Sequence, residues 1–264
     1  MYAAVILVVA ALLLPFVWVV FGSFKTQVEF MTDPGAWFPH GFPLDNYVRL
    51  FTEEGFGQHF VNSAIVSFVA VTANVLFSSM AGYALAKLEF RGRNLIFSGV
   101  IFAWIVPYVA IFVPQFLIIV QLGLVNTLAG IIAPLLVSPL SVFIMRQFAY
   151  SLPSDLLEAA RVDGAGEARL FFVIFLPLSG PAVATIAILS FLGSWNSFLW
   201  PLIVAQSEGT FTLPVALAVA SQASNTTDFG ILLAGAVVVL LPVLILFLFL
   251  QKYFIQGVAT SGIK

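Results

Sequence analysis

Six long apolar runs dictate what this chain can fold into. They cover Ala3–Phe24, His59–Ala86, Asn94–Val120, Ala129–Ala149, Phe172–Trp200 and Phe229–Leu250. At ~1.5 Å rise per residue, each is long enough to cross ~30 Å of hydrocarbon as a helix. Hydrophobic residues make up 61% of the 264, and charged residues only 8%. A soluble domain of this size has no interior large enough to hide so much apolar side chain, so the solvent is mostly lipid. In lipid the backbone must satisfy its own hydrogen bonds, which selects helices here. The expectation is an all-α membrane protein with six transmembrane helices, one domain over residues 1–264. The first run does not read as a signal peptide. No Lys or Arg precedes it, and it ends in Phe-Gly-Ser-Phe-Lys without a small-x-small cleavage site.

The basic residues give an orientation. Lys87, Arg91 and Arg93 lie between spans two and three, Arg146, Arg161 and Arg169 between four and five, and Lys252 and Lys264 after six. Only Lys25 and Arg49 fall on the other side, so the ten split 8 to 2. The positive-inside rule then puts both termini and the loop after span four in the cytoplasm. The net charge of −2 gives no general attraction to nucleic acid, which is not expected as a partner. With no cysteines there are no disulfides and no thiolate metal sites. His40 and His59 read as loop residues, and no metal site is expected. Two outer loops are sizeable. Residues 25–58 carry three prolines and five carboxylates. Residues 201–228 have an apolar middle, Leu213–Ala220, too short to span. That middle is a short helix at the membrane, a surface for a partner, or part of a solvated connector.

No Asp, Glu, Lys, Arg or His lies in the middle of any run. Ion-coupled carriers and pumps use buried ionisable groups to bind and move charge, so self-powered transport is disfavoured. Coordination of sodium by carbonyls keeps an ion-coupled carrier or channel open as an alternative. Neutral polar groups are present instead. Span two has Asn62, Ser63, Ser67, Thr72, Asn74, Ser78 and Ser79. Span three has Gln115 with Pro107 and Pro114. Span five ends in Gly193-Ser194-Trp195-Asn196-Ser197. Amides and hydroxyls suit a neutral hydroxylated solute, and a Trp face suits a sugar ring. Asn74, Gln115, Trp195 and Asn196 are therefore candidates for a translocation path. The competing reading is that such groups hydrogen-bond helices together. Pro107 and Pro114 are both able to kink span three.

The segment 151–177, SLPSDLLEAARVDGAGEARLFFVIFLP, gathers four acids and two arginines in an otherwise oily chain. Ser151 or Ser154 is placed to cap a helix, and Asp155 and Glu158 suit its N-terminal dipole. Ala159 and Ala160 keep that helix thin, and Gly164 offers a left-handed C-terminal position. A second helix starts near Glu167. Such a unit is either a rigid plug for a partner's groove or an amphipathic helix resting on the inner leaflet. Its acidity opposes the second, because cytoplasmic leaflets are themselves negative.

Glu158-Ala159-Ala160, Asp163-Gly164-Ala165 and Ile174-Phe175-Leu176-Pro177 together resemble the EAA motif of bacterial ATP-binding-cassette importer permeases. Pro15–Lys25, Leu44-Asp45-Asn46-Tyr47, Tyr83-Ala84-Leu85-Ala86, Trp195-Asn196-Ser197-Phe198 and Gln251-Lys252-Tyr253-Phe254 with Gly257 resemble carbohydrate-importer permeases of the MalG type. The resemblance covers essentially the whole chain. Relatives carry a longer basic tail before span one. It implies a type I importer permease fold in which residues 151–171 form a coupling loop. Glu158, Ala159, Ala160, Asp163 and Gly164 would touch a cytoplasmic ATPase, and the tail 251–264 would lie nearby. The implied partners are a second homologous permease, two ATPase subunits and an extracytoplasmic sugar-binding protein met by residues 201–228. The implied location is a bacterial or archaeal cytoplasmic membrane. No GxxxxGK[ST] loop is present, so ATP and Mg would sit on the partner ATPase, with no cofactor in this chain. The implied solute is a sugar; a polyol or glycerol-3-phosphate is the alternative. The chain itself is expected to be a transport subunit, not an enzyme.

Overall fold

A computed structural model describes residues 2–221 and 228–261, with side chains up to Phe249. The described residues contain helices and no strands. In chain order the helices are α1 (Tyr2–Gly22), α2 (Gln27–Thr32), α3 (Asp45–Thr52), α4 (Phe56–Lys87), α5 (Arg93–Ile105), α6 (Tyr108–Gln121), α7 (Leu128–Ile132), α8 (Pro139–Ser151), α9 (Asp155–Val162), α10 (Glu167–Arg169), α11 (Leu176–Leu178), α12 (Gly180–Trp195), α13 (Leu199–Val204), α14 (Leu213–Ala220) and α15 (Phe229–Ser261). A six-residue π-helical stretch, Leu170–Phe175, joins α10 to α11.

Among the described residues, three helices are long and apolar enough to cross a membrane unaided: α1, α4 and Phe229–Phe249 of α15. Three further candidate crossings are broken. Helices α5 and α6 meet at 103°, Leu128–Leu135 and α8 at 40°, and Glu167–Leu178 and α12 at 80°. Each corresponds to a run read from the sequence as one span, and proline lies at or beside each break. Pro107 has no N–H to give the carbonyl of Ala103, and it holds Val106 in an extended conformation (φ −63°, ψ 125°). Pro114, by contrast, is carried inside α6 without ending it. Pro139 starts α8, and Pro177 and Pro181 flank the break at Ser179. Large apolar side chains cover the outside of α1, with Ile6 and Leu7 about two-thirds exposed, as expected of a surface solvated by lipid.

The chain divides into two compact units. The first comprises Met1–Ser63 and Ser207–Leu246. In it Asn46 is buried and donates to the carbonyls of Ser23 (2.8 Å) and Lys25 (2.9 Å). Arg49 pairs with Asp228 at 3.0 Å. Lys25 does not sit in solvent as a loop cation. It is buried, donates to the carbonyl of Ala36 and lies 5.4 Å from the centre of the Phe30 ring. His59 is likewise not a loop residue. It belongs to the first turn of α4, buried beside the rings of Phe56 and Phe211. His40 is the exposed loop histidine, with Nδ1 2.8 Å from Glu29. The apolar middle of residues 201–228 forms α14 over the same bounds as the apolar stretch, with Leu213, Val215 and Ala216 buried. Asn62 Nδ2 donates to the carbonyls of Gly209 and Phe211 (both 2.9 Å), and Ser63 Oγ accepts from Leu213 N (2.8 Å). Residues 222–227 of that loop lie outside the described residues.

The second unit comprises Ala64–Gln206 and Phe247–Lys264. Its core gathers Tyr83 and Ala86 of α4, Met145 and Ala149 of α8, Leu157 of α9, Leu170, Phe171 and Phe175 of the π-helical stretch, and Ala182 and Ile186 of α12. Gly82 lets α4 and α8 touch backbone to backbone. A Cβ there would lie 2.7 Å from Met145 Cβ and 2.8 Å from Arg146 N. Arg146 is no loop residue either. It lies in α8, nearly buried, with its guanidinium 3.6 Å from the Phe97 ring centre and a 2.9 Å bond to the hydroxyl of Tyr150.

Candidate functional site

Two places among the described residues of the second unit are candidate sites. The first is α9 and its flanks. Its residues separate cleanly by face. Leu157 is buried, and Ala160 and Ala165 pack against the core. Glu158, Ala159, Val162, Asp163 and Gly164 are exposed, as is Leu156. The apolar pair Leu156 and Val162, the latter 88% exposed, therefore stands beside Glu158 and Ala159 on the outward face.

Both ends of α9 are set by specific bonds. At the C-terminus Ala165 N donates to Ala160 O (2.9 Å) and Gly164 N to Arg161 O (3.0 Å), the paired bonds of a Schellman motif. Gly164 supplies the left-handed residue that motif needs, with φ +82°, and a Cβ there would meet open space. At the N-terminus Ser154 occupies the capping position, but its hydroxyl makes no cap. It accepts instead from Lys87 Nζ at 3.2 Å, and Lys87 also donates to Leu152 O at 2.7 Å. Arg161 in the last turn bonds Glu167 at 2.9 Å, which pushes the guanidinium pKa further up. Glu167 Oε2 accepts from Tyr83 of α4, also at 2.9 Å. Sequence spacing carries no trace of these α4 contacts, because Tyr83 and Lys87 lie 65 to 84 positions from their partners.

The second place is a cavity of about 740 Å³ bounded by α4, the α5–α6 bend, the 134–141 segment, α12 and residues 197–200. Its lining includes no acidic or basic side chain. Asn74 and Gln115, both read as path candidates, line it. They differ in state. Asn74 donates to Ser141 Oγ (3.1 Å) and Ser190 Oγ (2.5 Å), and accepts from Ser78 Oγ (2.6 Å) and Ser138 N (3.0 Å). Every hydrogen-bonding position of that amide is used, which makes it a fastener among α4, α8 and α12. Gln115 Oε1 is buried with no hydrogen-bond partner. Among the described residues no group satisfies that acceptor.

Gly193, Ser194 and Ser197 of the span-five cluster line the cavity, whereas Trp195 and Asn196 are not among its lining residues. Trp195 is buried with its ring stacked on Phe191 (5.5 Å, 16°). Asn196 caps α12, its side chain donating to Leu192 O at 3.0 Å. The aromatic walls come from Trp104, Tyr108, Phe198 and Trp200. Trp104 and Tyr108 flank Pro107, and the bend at that proline is what turns both toward one space. A Trp and a Tyr straddling a proline was the signal available for them. The 251–264 tail continues α15 as far as Ser261, while its side chains and residues 262–264 lie outside the described residues.

Comparison with known proteins places this arrangement. Residues 74–260 match the family described as "Binding-protein-dependent transport system inner membrane component". The arabinooligosaccharides transport system permease protein AraQ of Halalkalibacterium halodurans is 43% identical over 253 residues, covering 95% of this chain and 90% of the relative. The diacetylchitobiose uptake system permease protein NgcG of Streptomyces coelicolor is 35% identical, covering 99% and 87%. A solved bacterial ABC transporter involved in import of the acidic polysaccharide alginate superposes with a TM-score of 0.83 at 25% identity, over 96% of this chain and 95% of that one. The helical fold and the whole-chain matches agree with each other and with the EAA resemblance, and the chain belongs to the family of binding-protein-dependent transport system inner membrane components.

Proposed function

We propose that this chain is one of two homologous permease subunits of an ATP-driven oligosaccharide importer, with arabinose-containing oligosaccharides the first solutes to test. The observation that carries the solute class is the whole-length 43% identity to an arabinooligosaccharide permease. The cavity supports it. A lining of amide, hydroxyl and aromatic groups suits a neutral polyhydroxylated solute, and the absence of basic lining residues disfavours a phosphate ester such as glycerol-3-phosphate. Gln115 lines the cavity and is the amide that turns toward the solute in this reading, and Asn74 holds the wall behind it. Trp195 and Asn196 contribute by shaping the end of α12.

In this reading the six candidate crossings span the membrane with both termini and α9 in the cytoplasm, following the 8 to 2 split of basic residues. Glu158, Ala159, Ala160, Asp163 and Gly164 form the contact with one of two ATPase subunits, which hold ATP and Mg. Closure of the ATPases moves the permease subunits between inward- and outward-facing states, and an extracytoplasmic binding protein delivers the sugar at the opposite face. Only a motor outside the chain is needed, which fits spans without central ionisable groups.

The test is uptake into proteoliposomes. With the partner permease, ATPase and binding protein present, labelled arabinotriose accumulates only when ATP is supplied. The chain alone gives no flux. ATP-independent flux through the chain alone establishes a self-contained carrier instead, and accumulation of a polyol or glycerol-3-phosphate in place of arabinotriose overturns the solute class.

A further inference from the structure

Tyr83 and Lys87 are one turn apart at the end of α4 and so lie on one face of that helix. They reach opposite ends of the same short element. Lys87 Nζ holds Leu152 O (2.7 Å) and Ser154 Oγ (3.2 Å), the residues that lead into α9. Tyr83 Oη holds Glu167 Oε2 (2.9 Å) just beyond α9, and the other oxygen of that carboxylate takes Arg161 Nε (2.9 Å) from α9's last turn. Between the two anchors Leu157 and Ala160 pack into the core that contains Tyr83 and Ala86. We infer that Tyr83 and Lys87 form a two-point clamp that fixes both ends of α9 to the last turn of α4, so that displacement of α9 is delivered to α4 directly. This rests on the reading of α9 as the element that meets the ATPase.

The bonding pattern argues for positioning over general adhesion. Apolar contact alone tolerates sliding, whereas hydrogen bonds fix register. Lys87 has no carboxylate partner among the described residues. Its ammonium is spent on a carbonyl and a hydroxyl, both of which depend on the exact path of residues 152–154. Tyr83 is 4% exposed, with its ring 5.5 Å from that of Phe171 and 4.7 Å from that of Phe175, so its hydroxyl has little choice of direction. The π-helical stretch that carries both phenylalanines begins three residues after Glu167. π-Helical turns are uncommon and concentrate at functional places. Here the local register brings Phe171 and Phe175 around one tyrosine. The Arg161–Glu167 pair is half exposed and adds little stability by itself. Its effect is to aim the carboxylate that Tyr83 grips.

α4 also carries Asn74, which fastens α8 and α12 around the cavity. The clamp thus connects α9 to a wall of the cavity through one continuous helix. Tyr83 and Lys87 touch neither the cavity nor the outward face of α9. They are positioning residues for coupling.

The chain has no cysteine, so spin labels can be placed on it before assembly without background of its own. The measurement uses the assembled importer with labels at Glu89→Cys, just past α4, and Asp155→Cys, at the start of α9. In the parent, one narrow distance distribution is expected, unchanged on trapping with ATP and vanadate. Lys87→Met, Tyr83→Phe and Glu167→Gln each keep the side-chain bulk and are expected to broaden it, with Lys87→Arg restoring the parental width. In the same preparations arabinotriose imported per ATP hydrolysed falls at least about fivefold, the low end of ordinary coupling free energies, while the amount of bound ATPase is unchanged. A parental distance that shifts on trapping, or clamp variants that keep both the narrow distribution and the parental uptake per ATP, overturns the inference. If arabinotriose is not the solute, the label distances still decide the clamp, since they require no solute. If no ATPase binds the parent, the docking reading fails separately, and the nucleotide-free distributions alone judge whether α4 holds α9.

Discussion

At the scale of single residues, the same amide chemistry takes two different roles. Asn74 has all its hydrogen-bonding positions filled from three helices, and Gln115, which lines the same cavity, has a buried acceptor with no partner among the described residues. The expected phenotypes therefore separate. Asn74→Leu strips partners from Ser138, Ser141 and Ser190 and is expected to destabilise the detergent-solubilised importer by about 1–2 kcal/mol, read as a lower Tm. Gln115→Leu leaves Tm within error but lowers sugar uptake. Equal loss of Tm in both variants contradicts the assignment. Glu29 offers a residue-scale test outside the spans. The backbone N–H of Thr26, then that of His40, hold its carboxyl down at about 2, against partial burial that pushes it up. Because the folded value is depressed, the capping box it closes with Thr26 is fully supported above pH 4.5 and loses that support as pH falls toward 2. A carbon-13 NMR titration of Glu29 should show its midpoint near 2; a midpoint in the ordinary carboxylate range rules out this bonding.

At the scale of elements, the sequence made the apolar helices and the charged segment legible, and left their breaks and fastenings unread. Apolar runs announce helices because burial in lipid is a sum over many side chains, and no single residue decides it. Breaks depend on single residues in context. Pro107 ends a helix, with Val106 extended before it, and Pro114 is carried inside α6, although both sit in one apolar run. Gly164 was legible at the end of α9 because the left-handed position it fills is local. The Ser154 cap was not, since the serine's hydroxyl serves Lys87 of a distant helix. Lys25, His59 and Arg146 read as loop residues because charge suggests water. In the fold their charged or polar heads find carbonyls and aromatic faces instead. Gly82 makes the α4–α8 contact possible, and a side chain there must push Met145 and the backbone of Arg146 away. Gly82→Leu is expected to cost about 1–3 kcal/mol from overpacking, seen as a lower Tm of the solubilised importer. An unchanged Tm means that α4 and α8 are not in backbone contact.

At the scale of the whole molecule, the proposed function makes the chain a path and a handle for a motor that lies on a partner. The cavity lining is uncharged, the apolar runs have no central ionisable group, and the sequence contains no phosphate-binding loop. What it has instead is an exposed helix with Leu156, Glu158, Ala159 and Val162 turned outward, closed by a glycine with φ +82°. The central claim is that this face receives the ATPase, and co-purification with tagged ATPase subunits tests it most directly. Glu158→Lys reverses the charge of the face without touching the core. Gly164→Asp places a side chain on a left-handed residue, at about 1 kcal/mol of local strain, and adds charge where only open space lies within the chain. Both variants are expected to reach the membrane at parental levels and to lose at least about tenfold of the bound ATPase, equivalent to ~1.4 kcal/mol. Parental amounts of ATPase on both variants would contradict the claim.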